Sequence, residues 1–132
     1  MTRKALGKVL SFAACASAAA ALLAGGATAH HSFAMFDTGK EVTLDGTIRE
    51  FQWTNPHSWV QLTVMEGGQA VEYSIEGQSP NGLARQGWTR NSLKAGDHVK
   101  VVINPLKDGT HGGSFKRAIF PDGHVLGFGP GG

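Results

Sequence analysis

The chain has 132 residues, 41% of them hydrophobic and 17% charged, with a formal net charge of +2, a length that holds one domain. The basic surplus sits in one place. Arg3, Lys4 and Lys8 lie in the first 29 residues and no acidic residue does, so residues 30–132 carry nine basic against ten acidic side chains, a net −1. That balance lacks the positive surplus a phosphate backbone demands, so nucleic acid is excluded as an expected partner.

The first 29 residues follow a three-part plan. A basic start precedes an apolar, alanine-rich run from Val9 to Ala24, and Gly25-Gly26-Ala27-Thr28-Ala29 ends it in small residues. This predicts a secretory signal cleaved after Ala29 and a protein working in the periplasm or outside the cell. The run is shorter and richer in alanine than the ~20 apolar residues of a bilayer span, so no membrane span is expected after processing. The only cysteine, Cys15, lies in the leader. A lipoprotein site at Phe12-Ala13-Ala14-Cys15 is the alternative, and it would leave a greasy alanine run on the mature chain. With Cys15 removed there is no disulfide, no thiolate metal site and no cysteine nucleophile. About 100 residues still bury an adequate core without staples.

Residues 30–40 show no period and read as an N-terminal arm. Period-two alternation follows, with Val42, Leu44 and Ile48 on one face. The phase flips at Glu50, where Phe51 and Trp53 take the apolar side, and a flip inside one strand predicts a bulge. Thr54-Asn55-Pro56 breaks the strand, since proline lacks a donor and asparagine favours turns. The second strand puts Val60, Leu62 and Val64 inward, with His57, Trp59, Gln61 and Thr63 opposite. After a Gly67-Gly68 turn, the third turns Val71, Tyr73 and Ile75 inward.

Ser79-Pro80 starts a short helix over Asn81–Gln86, with serine as cap and Gly87 as stop. A fourth strand covers His98–Ile103. A long glycine-rich loop is expected over Asn104–Ser114, a fifth strand over Phe115–Phe120, and a short segment over His124–Leu126. The glycine and proline of residues 127–132 read as a flexible tail. Three strands, a helix and two strands predict an all-β fold: a five-stranded OB-like Greek-key barrel over residues 41–126 with one short helix. In such barrels the loops after strands one and four form the ligand edge. Here they hold Asn55-Pro56-His57 and Lys107-Asp108-Gly109-Thr110-His111. A sandwich is the alternative fold.

Two histidine motifs carry a resemblance. His30-His31-Ser32-Phe33-Ala34-Met35-Phe36-Asp37 directly after the leader, together with Trp53-Thr54-Asn55-Pro56-His57-Ser58-Trp59, resemble small exported bacterial proteins of domain-of-unknown-function family 6152. The likeness extends through Gly87-Trp88-Thr89-Arg90, Lys94-Ala95-Gly96-Asp97 and Asn104-Pro105. It implies export and a small β fold, and supplies no mechanism.

All six histidines follow Ala29, and cleavage there makes His30 the first residue. A free N-terminal histidine binds copper through its amine and its ring, and a second histidine completes a histidine brace, a donor set that suits copper. By analogy of site, not of sequence, this is similar to copper centres in secreted oxidases and periplasmic carriers. His57 is the first choice for the second ligand, with His31 and His111 as alternatives, and Met35 offers a soft donor for cuprous copper. Against this, His30 and His31 read equally as polar residues after a cleavage site, His57 as a turn cap, and His111 as a loop surface residue. His98 reads as a solvated sheet residue and His124 as structural or exposed.

Asn55 and Trp59 are the expected ligand-edge residues. The tryptophans offer a stacking platform for a small ligand or a periplasmic protein partner, against core packing as the plainer reading. Glu72 and Glu76 read as solvated carboxylates on the polar side of strand three. No serine elbow, HExxH or phosphate loop is present, so enzymatic signatures are thin. The sequence thus points first to copper carriage or sequestration, then to a metal-free binding module, and last to a small copper-dependent oxidase.

Overall fold

A computed structural model describes residues 33–127; the leader, the cleavage site at Ala29, His30, His31 and residues 128–132 lie outside that range. Among the described residues the named elements are, in order, β1 Val42–Gln52, β2 Trp59–Glu66, β3 Gln69–Glu76, α1 Pro80–Arg85, β4 His98–Pro105, β5 Gly112–Ile119 and β6 Val125–Gly127. The sheet order is β3-β2-β1-β4-β5-β6, and a parallel pairing of β3 with β5 closes the first five strands into a barrel. This is the expected OB-like arrangement, with α1 between β3 and β4.

Alternation builds the barrel. Leu44 and Ile48 of β1, Val60, Leu62 and Val64 of β2, and Val99, Val101 and Ile103 of β4 all turn inward and are buried. The phase change in β1 is a bulge. Ile48 pairs with Leu62 and Glu50 with Gln61, leaving Arg49 as the extra residue. The bulge bends β1 so that its first half pairs with β4 and its second with β2 alone. Phe51 and Trp53 then pack against the core, their rings edge-to-face at 5.8 Å.

Helix α1 starts where the serine-proline pair predicts. Ser79 Oγ accepts a hydrogen bond from the Gly82 amide at 3.2 Å, and Pro80 occupies the first turn, where its missing N–H costs nothing. Six residues make no stable helix alone. This one is held by Leu83, 2% exposed in the core, a burial that contributes about 2 kcal/mol. Trp88 beside it is 5% exposed, between Phe51 and Phe115, whose ring centroids lie 6.0 Å and 5.6 Å away.

One expectation is corrected. The glycine-rich loop is shorter than Asn104–Ser114: β4 runs on through Asn104 and Pro105, β5 begins at Gly112, and only Leu106–His111 connects them. Glycine is a poor strand residue in general, but here β5 must approach β3 closely. A Cβ on Gly112 would stand 2.6 Å from the Ser74 carbonyl oxygen. The described part of the arm is anchored to the barrel. Phe36 is 6% exposed and bridges to Leu106, the Asp37 amide donates to the Pro105 carbonyl at 2.8 Å, and the Lys107 amide donates to the Met35 carbonyl at 2.9 Å. The buried Asn104 amide donates to the Lys40 carbonyl at 2.8 Å, fixing the far end of the arm.

Candidate functional site

The arm, the β1–β2 loop, the β3–α1 turn and β5 enclose a groove of about 490 Å³. Phe33 and Phe36 come from the arm, Pro56 and His57 from the loop, Glu76 to Ser79 from the turn, and Ser114 to Lys116 from β5. His57 is held from both sides. The Thr54 hydroxyl donates to the His57 carbonyl at 2.8 Å, and the neighbouring peptide Asn55-Pro56 is cis. Buried Ser58 ties the loop to the turn: its amide and hydroxyl both donate to the Gln78 carbonyl, at 3.0 and 2.7 Å, and its own carbonyl accepts from the Gly77 amide at 2.8 Å. Gly77 is required by this contact, since a Cβ there would stand 2.5 Å from Ser58 Oγ.

The His57 ring is thereby oriented. Its Nδ1 lies 3.3 Å from the Gly77 carbonyl oxygen and 3.4 Å from Glu76 Oε1. A carbonyl and a carboxylate only accept, so the ring proton belongs on Nδ1, and Nε2 of the neutral ring keeps its lone pair. A carboxylate or carbonyl on one ring nitrogen with the other free is the arrangement that orients histidine ligands in metal sites. Glu76, read from the sequence as merely solvated, has a side chain only 14% exposed and lines the groove. Its position as the last residue of β3, opposite Trp59, was the available signal. Glu72 does face solvent, where it accepts hydrogen bonds from Arg49 and Thr63.

The other expected site residues part company with His57. His111 does not line the groove; its ring packs on Tyr73 with centroids 5.1 Å apart, and its carbonyl accepts from the Ser74 amide. Trp59 is half-buried at the start of β2, Asn55 is exposed at the turn, and neither lines the groove. Met35 is 47% exposed and also stands outside it. Trp53 and Trp88 belong to the core cluster and its margin, as the packing reading holds. His98 pairs with Asp45 at 2.7 Å on the sheet surface, and His124 stacks on Phe120 beside Asp122. Among the described residues, no three His, Cys, Asp or Glu side chains gather to hold a metal, and no helix is long and apolar enough to cross a membrane.

A family model described as a family of unknown function, DUF6152, matches residues 16–116. The chain belongs to the DUF6152 family. No curated protein and no solved structure matches it. The DUF6152 match ends at Lys116, the last residue of the groove wall, so the arm, both expected ligand loops and α1 all fall within it, whereas β6 lies beyond.

Proposed function

We propose that this DUF6152 protein is exported, is cut after Ala29, and binds copper through His30 and His57 as a carrier or sequestration protein of the periplasm. The amine and ring of a terminal His30 supply two nitrogens in one chelate, and His57 Nε2 supplies the third. The observation that carries the reading is that the arm leads to the same groove as His57. Phe33, three residues after His30, lines the groove that His57 lines. Those three residues reach about 10 Å when extended, so the new terminus starts within range of the groove. The orientation of His57, with Nδ1 spoken for and Nε2 spare, adds to this. Neutral amine and imidazole nitrogens suit copper, the head of the divalent affinity order, and their protonation makes the affinity fall with pH.

The test is a copper(II) titration of protein beginning at His30 against protein bearing one additional N-terminal alanine. Tight binding is expected only in the first, and His57→Ala is expected to weaken it at least tenfold. Equal affinity in both forms, or cleavage at another bond seen by intact mass, removes the chelate.

A further inference from the structure

We infer that the groove beside His57 also receives a small organic anion, an apolar body bearing a carboxylate that pairs with Lys116. This inference does not rest on copper. The groove, at about 490 Å³, has the size of a small-molecule site. Its walls are apolar where they come from Phe33, Phe36 and Phe115. The Phe33 ring is left 68% exposed over it, an uncovered aromatic face at the rim. Two hydroxyls among its polar groups can give hydrogen bonds. The Ser79 oxygen already accepts from Gly82, which leaves its O–H to give, and Ser114 adds a second hydroxyl.

The charge balance singles out Lys116. Glu41 Oε2 takes a 3.1 Å hydrogen bond from Arg117, which holds the Glu41 carboxyl below its ordinary value, while Lys116 Nζ stands 3.9 Å from Glu41 Oε1. Two cations thus share that one carboxylate, Arg117 more closely, which leaves Lys116, the one Lys or Arg lining the groove among the described residues, only loosely engaged. The one acidic side chain lining the groove, Glu76, faces the His57 ring through Oε1 at 3.4 Å. The arrangement resembles other anion sites only in its chemistry: a charge with donors at one end of an apolar slot, where removal from water strengthens the pairing.

The experiment titrates metal-free mature protein with hexanoate, hexanol and hexylamine by calorimetry, following backbone amide shifts in parallel. Hexanoate is expected to bind in the millimolar range or tighter, shifting the amides of Gly77, Ser114 and Lys116, and to bind at least tenfold more tightly than the other two. Lys116→Gln should lower hexanoate affinity about tenfold and leave hexanol unchanged, with melting temperature as the check on folding. Hexanol or hexylamine binding as well as hexanoate, an unaffected Lys116→Gln variant, or no hexanoate binding overturns the inference. Protein bearing one additional N-terminal alanine separates it from the copper reading, because it should lose tight copper binding and keep hexanoate binding.

Discussion

His57 and His111 occupy the two loops that an OB-like barrel offers to ligands, and the fold treats them differently. His57 follows a proline turn that Ser58 ties to the β3–α1 turn by three hydrogen bonds. Its ring therefore meets fixed acceptors at Nδ1 and sits in a groove. His111 ends an exposed loop and rests its ring on Tyr73, and its carbonyl accepts from the Ser74 amide. The same residue type in equivalent loops is thus a pre-oriented donor in one and a ring covering an aromatic face in the other. What separates them is whether the backbone around the histidine is anchored.

The largest test of that difference removes the arm's anchor. Phe36→Ala deletes a buried ring that packs the arm onto the β4–β5 connection. It is expected to cost about 3–5 kcal/mol in chemical denaturation and to loosen the groove wall that the arm supplies. Copper affinity should fall with it, while His111→Ala should leave copper affinity unchanged within about twofold. Loss of copper binding in His111→Ala but not in Phe36→Ala would reverse the ranking of the two loops. Next in size, Ser58→Ala removes the buried hydroxyl that reaches the Gln78 carbonyl at 2.7 Å. The Ser58 amide still satisfies that carbonyl, so the expected cost is about 1 kcal/mol. The amide shifts should be confined to residues around His57 and Gly77.

The barrel was legible because alternation is a local signal. Val60, Leu62 and Val64 had to share a face, and the phase flip at Glu50 located the bulge to within one residue of Arg49. Ser79-Pro80 carried its cap on its face as well. What was not legible depends on pairs far apart in the chain. Gly112 reads as loop by propensity and is a strand residue because β3 passes 2.6 Å from where its Cβ would be. Phe36 lies in an aperiodic arm because one anchor needs no period. Glu76 reads as a solvated carboxylate until closure of the barrel end turns it towards His57. His30 and His31 are legible only as chemistry, since they lie outside the described residues.

On the His111 side the expected effects are smaller. The histidine is exposed and its ring rests on Tyr73, so His111→Ala should change stability by no more than about 0.5 kcal/mol. A finer reading comes from the phenol beneath it. Tyr73 is pushed up to about 12, first by burial and then by the hydrogen bond its hydroxyl gives to Glu66 Oε1 at 2.7 Å. Its folded value lies above the ~10 of an unfolded chain, so the fold holds the proton more tightly. The associated stability is fully present below about pH 10 and is lost as pH rises towards 12. This is the chain's one tyrosine, so tyrosinate absorbance reports on it without ambiguity. Glu66→Gln keeps a hydrogen-bond acceptor but removes the charge, and should bring the midpoint part of the way down, leaving the contribution of burial. His111→Ala uncovers one face of the ring and should lower it less. A wild-type midpoint near 10 would mean that Tyr73 is open to water, and that His111 covers nothing.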